Sequence, residues 1–182
     1  MALDGTIPSQ LGNLSFLVSL DLSNNTFTGH LPDELVHLRR SKFVNLWFNK
    51  FSGHLPSGLG ALGRLQQLIL GNNSFTGTIP PSLFNMSKLE TLILYSNILQ
   101  GMIPQHIGNL RNLKILDIQH NQLTSSLPLA IFNISSLQAI AFTNNSISGS
   151  LPMDVSHRLS NLQGLYLSYN EINGKIPSSL MS

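Results

Sequence analysis

The sequence contains no cysteine, a single tryptophan and only 10 % charged residues. Without thiols, disulfides and thiolate metal centres are excluded, and sulfur gives no reading of the redox compartment. Ten Lys plus Arg against eight Asp plus Glu leave a net charge of +2, and the cations are scattered apart from Arg39, Arg40 and Lys42. That pattern has no basic stripe of the kind a nucleic acid requires. No run approaches the roughly 18 apolar residues that cross a bilayer. The opening MALDGTIP also lacks the basic start and apolar stretch of a secretory leader. What remains is 182 residues with 42 % hydrophobic content, enough for one domain with a sizeable core.

Proline organises the chain. Eight of nine prolines fall at Pro8, Pro32, Pro56, Pro80, Pro104, Pro128, Pro152 and Pro177, spaced by 24 six times and then by 25. A period in this range signals a solenoid and takes precedence over any short motif. In the same register Asn25, Asn49, Asn73, Asn97, Asn121, Asn145 and Asn170 each stand seven residues before a proline. Gly29, Gly53, Gly77, Gly101, Gly149 and Gly174 stand three before it. The first copy reads LVSLDLSNNTFTGHLP and the third LQQLILGNNSFTGTIP, both of the form L-x-x-L-x-L-x-x-N-x-[LF]-x-G-x-[IL]-P.

This pattern resembles the leucine-rich repeat, in its plant 24-residue form, through seven nearly complete copies with partial ones at both ends. The resemblance implies an α/β repeat fold: a right-handed solenoid whose L-x-L segments stack as a parallel sheet on the concave face. Elementary geometry agrees, because alternation at period two points the leucines inward and their neighbours outward. The recurring Asn is expected to pair backbone groups at the inner turn, and the glycine to permit a turn before the proline. Ser41 in place of a buried Leu, Ser125 in place of the turn Gly, and one extra residue in DVSHRLSNL each predict a local bulge or altered convex turn. The segment LPMDVSHRLSNLQGL also resembles a variant repeat of plant pattern-recognition receptor kinases.

Several local motifs lose their force in this register. Gly58, Gly60 and Gly63 match G-x-G-x-x-G, but only Gly60 repeats, with Gly12 and Gly108. A proline turn rather than a strand precedes them, and no acidic residue lies between Glu34 and Glu90, so no nucleotide or other cofactor is expected. His30 and His54 share a phase and would stack on adjacent coils, yet two imidazoles alone make a poor zinc site. Asp117 and His120 flank one strand end without a nucleophile elbow, so no catalytic residue is assigned.

The outward strand positions carry a stronger signal. Trp47, Tyr95, Tyr166 and Tyr169 fall there or at the strand end, with Phe43, Phe48, Ile69, Ile93 and Ile115. Polar Asn45, Gln67, Thr91, Asp117, Gln119, His120 and Thr143 lie among them. Exposed aromatics on a rigid sheet about 34 Å long suit an extended peptide or a protein edge. Sequons occur in two phases: Asn13, Asn85 and Asn133 on the convex turn, and Asn24, Asn72 and Asn144 just before the ladder Asn. The convex group is expected to carry glycan if the chain enters the secretory pathway.

By resemblance, the chain is expected to be a non-enzymatic fragment of a plant receptor-like kinase or receptor-like protein ectodomain. It would bind a peptide or protein on its concave face and recruit a co-receptor ectodomain, on the outer side of the plasma membrane. The kinase motifs and cysteine caps of that family are absent from these residues, and both terminal repeats are expected to be partial. A secreted enzyme inhibitor resembling the polygalacturonase-inhibiting proteins is the alternative.

Overall fold

The computed structural model describes residues 2–178, so the end of the last partial repeat, 179–182, lies outside the described residues. Each turn of the coil is built from three short pieces. The L-x-L segments form the inner strands Ser19–Asp21, Phe43–Asn45, Gln67–Ile69, Thr91–Ile93, Ile115–Asp117, Ala139–Ala141 and Gly164–Tyr166, which join in one parallel sheet of seven. Their middle residues, from Leu20 through Val44, Leu68, Leu92, Leu116 and Ile140 to Leu165, face one another in register. The core sits directly beneath them.

The second half of each repeat is a strand as well, where the sequence pattern suggested only a turn. Asp4–Gly5, Thr26–Gly29, Lys50–His54, Ser74–Gly77, Ile98–Gly101, Gln122–Ser126, Ser146–Gly149 and Glu171–Ile172 make a second parallel sheet of eight. Within it, the apolar residue of N-x-[LF] points into the core at period two. Phe27, Phe51 and Phe75 stack there with ring centroids 6.0 and 6.3 Å apart, and Leu99, Leu123 and Ile147 continue the column.

Each proline then opens the convex segment. Pro8, Pro32, Pro56, Pro80, Pro104 and Pro128 have φ between −74° and −61° and each starts a five-residue 3-10 turn. The proline carbonyl accepts the N–H three residues on, at 3.0–3.2 Å, so the ring's missing donor costs nothing here. Gly60 lies on one such turn, where an added β-carbon would collide with the Ser82 carbonyl of the next coil. The apparent phosphate loop is therefore a packing contact.

The asparagine ladder ties the coils together. Asn121, buried between two coils, donates through Nδ2 to Leu94 O, Ile118 O and Gln119 O at 3.1 Å and accepts the Leu99 N–H at 3.0 Å. Asn49, Asn73, Asn97, Asn145 and Asn170 repeat the arrangement, each spanning from its own repeat to the one before. Among the described residues no buried side-chain nitrogen or oxygen is left without a partner. In the end coils the core is only partly covered, at Leu17, Leu22 and Phe27 on one side and Leu165, Leu167 and Ile172 on the other.

Two of the three expected irregularities are absorbed without a bulge. Ser41 is fully buried, its hydroxyl donates to Leu17 O at 2.9 Å, and its N–H meets Leu38 O as the equivalent leucines do. Ser125 takes the turn glycine's conformation, with φ of 83° against 74–94° for Gly29, Gly53, Gly77, Gly101, Gly149 and Gly174. Its strand keeps pairing on both sides. The extra residue in the seventh repeat does alter the convex turn, which becomes the short α-helix Val155–Arg158 with an Asp154–Arg158 ion pair of 2.7 Å. Arg158 also donates to Asn133 Oδ1 at 3.1 Å.

Two outcomes test this account. Asn121→Ala leaves the Leu99 N–H and up to three carbonyls unpaired and lowers stability by about 3 kcal/mol, read as a reduced urea midpoint. Asn25→Ala, in the half-covered first coil, costs clearly less. Ser125→Gly relieves a left-handed backbone and raises stability by about 1 kcal/mol, or roughly 2–4 °C in melting temperature, whereas Ser125→Ala brings no gain.

Candidate functional site

The inner sheet presents its outward side chains in rows that run across the coils. The first row is Ser19, Phe43, Gln67, Thr91, Ile115, Ala139 and Gly164, and the second is Asp21, Asn45, Ile69, Ile93, Asp117, Ala141 and Tyr166, each set in register. A third row follows beyond the strand ends, through Ser23, Trp47, Gly71, Tyr95, Gln119, Thr143 and Ser168. Six residues expected at the site converge: Asn45, Trp47, Ile69, Ile93, Tyr95 and Asp117 line a cavity of about 380 Å³. That volume is near the lower end for ligand pockets and matches a side chain or two of a larger partner.

Gly71 makes this cavity possible. It stands between Trp47 and Tyr95 in the third row, and a β-carbon on it would lie 3.3 Å from Trp47 Cδ1 and 3.0 Å from the Tyr95 carbonyl. Trp47 leans over the empty position, and Tyr95 is braced from the far side by His120, edge to face at 5.3 Å. Sequence inspection for chemistry-bearing residues passes over Gly71, since the signal is a missing side chain. Its one legible trace is a glycine where the neighbouring copies carry Trp and Tyr.

The polar members of the second row share a local role. Asp21, Asn45 and Asp117 each accept the N–H two residues on, from Ser23, Trp47 and Gln119, at 3.0–3.1 Å. This turn sets the backbone from which Trp47 projects. Asn45 also donates through its amide nitrogen to Asp21 at 3.2 Å. Partial burial works against the Asp21 charge, but donors from the Ser23 hydroxyl, the Ser23 N–H and the Asn45 amide outweigh it and hold the carboxyl below its usual value. Asp117 differs: Oδ1 takes both bonds from Gln119, and Oδ2 accepts none among the described residues.

A fourth row has an unusual backbone. Asn24, Phe48, Asn72, Ser96, His120, Asn144 and Tyr169, each just before a ladder Asn, all have φ between 52° and 59°. Asparagine tolerates this left-handed region better than most residues. The sequons at Asn24, Asn72 and Asn144 thus have a conformational explanation, and Asn144 Nδ2 lies 3.0 Å from His120 Nδ1. Phe48 and Tyr169 have no such excuse, being 55 % and 82 % exposed in a strained conformation. Phe48 packs against Trp47 at 5.5 Å but lines a separate depression with Asn49, Asn72 and Ser96.

Other expected residues stay apart. Tyr166 is separated from Asp117 by the small Ala141, and its ring folds over Gly164, so it does not join the cavity. Tyr169 stands beyond it. Phe43, Gln67, Thr91 and Ile115 form the adjoining first row, and Gln119 and Thr143 extend the third. Asp117 and His120 engage different partners, Gln119 on one side and Tyr95 with Asn144 on the other. His30 and His54 each lie against a turn glycine of the next coil, Gly53 and Gly77. Asn13, Asn85 and Asn133 end convex 3-10 turns and are exposed. Among the described residues no helix is long and apolar enough to cross a membrane.

Comparisons place this architecture. Family models described as "Leucine rich repeat" match residues 16–38, 63–123 and 111–172. Comparison with the curated proteins finds none that matches. Among solved structures, a TDR receptor is 35 % identical with a TM-score of 0.95, covering 98 % of this chain and 31 % of its own. The ectodomain of the plant membrane receptor kinase GASSHO1/SCHENGEN3 from Arabidopsis thaliana, in complex with CASPARIAN STRIP INTEGRITY FACTOR 2, is 40 % identical with a TM-score of 0.95, over 98 % of this chain and 22 % of that one. The Arabidopsis receptor kinase HAESA, in complex with the peptide hormone IDA and the co-receptor SERK1, is 33 % identical with a TM-score of 0.90, over 97 % and 29 %. The chain therefore spans less than a third of the length of these receptors. It belongs to the leucine-rich-repeat family, in the plant-type form that builds receptor ectodomains.

Proposed function

We propose that this chain is a recognition segment of a membrane-anchored plant receptor, non-enzymatic itself, which binds a peptide or protein on its inner sheet. The observation that carries the reading is the cavity built by Trp47, Ile69, Ile93, Tyr95 and Asp117 on a rigid parallel sheet. Apolar and aromatic side chains clustered and partly exposed on a rigid sheet are the surface a protein or peptide partner covers. Small residues at Ala139 and Ala141 beside this cluster leave room for a ligand main chain to continue along the face toward Tyr166.

The solved neighbours support the same direction. HAESA is bound to a peptide hormone and a co-receptor, and RGFR1 is a plant peptide hormone receptor in complex with RGF2. On that basis the partners proposed for this chain are a peptide ligand and a co-receptor ectodomain, with the parent protein facing the outside of the plasma membrane. This favours the receptor over the secreted inhibitor. The remaining inner-face residues, from Phe43 and Phe48 to Tyr166 and Tyr169, then select among ligands.

Two measurements check this. Random peptides displayed on phage are captured by the native protein, and the double substitution Trp47→Ala, Tyr95→Ala removes that capture while leaving the circular dichroism spectrum unchanged. Undiminished capture by the folded double variant sinks the assignment of the inner face. In protein secreted from plant cells, mass spectrometry finds glycan on Asn13, Asn85 and Asn133 before Asn24, Asn72 and Asn144, which places sugar away from the binding face.

A further inference from the structure

We infer that the cavity between Trp47 and Tyr95 is a socket for one cationic side chain of the ligand, arginine in the first place. This rests on the peptide-recognition reading above and adds the chemistry of the residue that anchors the peptide. The floor is apolar: Ile69 and Ile93 lie side by side, paired across adjacent strands. The walls are aromatic, Trp47 on one side of Gly71 and Tyr95 on the other. The end is anionic, since Asp117 pairs directly with Ile93 one strand further on, about 4.8 Å away. An apolar floor between aromatic walls, closed by a carboxylate, matches a side chain with a hydrocarbon stem and a planar charged tip.

The charge distribution narrows the choice. No Lys, Arg or His lines the cavity, and Asp117 has no ion pair among the described residues. Lys114, just before this strand, is paired with Glu90 at 2.7 Å, and His120 meets Tyr95 and Asn144. Asn45, at the opposite end, is neutral, accepting the Trp47 N–H and donating to Asp21. Asp117 Oδ2 is thus the polar atom of the cavity's carboxylate left for a ligand. An acidic ligand side chain meets repulsion there, and a purely apolar one strips water from the carboxylate without replacing its hydrogen bonds. Guanidinium satisfies both surfaces at once, stacking on an aromatic face and donating its fork to the carboxylate. Lysine offers the charge without the planar fork and binds more weakly.

Trp47 is the only tryptophan in the chain, so its fluorescence reports on the socket alone. The probes are N-acetyl-L-argininamide and N-acetyl-L-citrullinamide, nearly the same shape with and without charge. The expected result is a saturable change in Trp47 emission with argininamide and binding about tenfold weaker, or worse, with citrullinamide. Asp117→Asn should bring argininamide down to the citrullinamide level, and it should fold, because Asn45 makes the same turn in its own repeat. Gly71→Val fills the gap and abolishes the signal, with circular dichroism reporting whether the fold is intact. Equal binding of the two probes, a linear unsaturable response, or an unaffected D117N protein overturns the inference. Peptides captured on phage through Trp47 and Tyr95 but showing no enrichment of arginine or lysine refute the socket and leave peptide recognition standing. Saturable argininamide binding with no peptide captured does the reverse.

Discussion

The amide of the ladder asparagine is the interaction on which every coil depends. Its nitrogen serves carbonyls in its own repeat and in the one before, and its oxygen accepts an N–H of the preceding coil. That last bond joins residues 22 apart, Phe27 to Asn49, and the outer strands then pair at the same offset, Thr28 with Lys50 and Gly29 with Phe51. The side-chain oxygen acts as the first rung of the outer sheet. The inner sheet instead pairs at the repeat length, Leu20 with Val44. One residue type therefore seals the turn that follows the inner strand and sets the register of the second sheet. A coil without its neighbour leaves these bonds unmade and its leucines wet, so the array holds together only as a stack.

This division of labour frees the outward positions. Leucines and asparagines fill the interior of each repeat, whereas the side chains of the four outward rows differ from coil to coil and make few hydrogen bonds, chiefly the turns at Asp21, Asn45 and Asp117 and the contacts Asn45–Asp21 and Asn144–His120. The second repeat shows the cost of using that freedom. Phe48 is an exposed aromatic residue in a left-handed conformation, where four of the six other copies place asparagine or serine. The backbone strain there falls next to Trp47. Gly71 works in the opposite sense, removing a side chain so that its aromatic neighbours frame a cavity.

Much of this was legible in the primary structure. Regular spacing of Leu, Asn, Gly and Pro implied the stacked inner sheet, and period-two alternation showed that Trp47, Ile69, Ile93, Tyr95 and Asp117 face outward. Three features were less accessible. The outer sheet was missed because its strands are short and most end in a glycine, which reads as a turn. Ser41 was expected to distort the coil, yet its hydroxyl found the Leu17 carbonyl, a partner supplied by the preceding repeat 24 residues away. The asparagines at Asn24, Asn72 and Asn144 read as sequons of the second rank in the sequence, and the positive φ of their row gives asparagine a conformational reason there as well.

The sequence by itself determined the scaffold, because a fixed period forces identical residues into identical surroundings and each repeat's chemistry can be read from its copies. It also determined which residues face outward, since strand alternation is a local property. Only the tertiary structure decided which of them meet. Trp47 and Tyr95 are 48 residues apart and become cavity walls through two strand spacings and one missing β-carbon. Tyr166, equally aromatic and equally outward, turns over Gly164 and stays alone. Adjacency across a stacked sheet depends on the neighbour's size and rotamer, and those are set by packing between coils, which no single repeat contains.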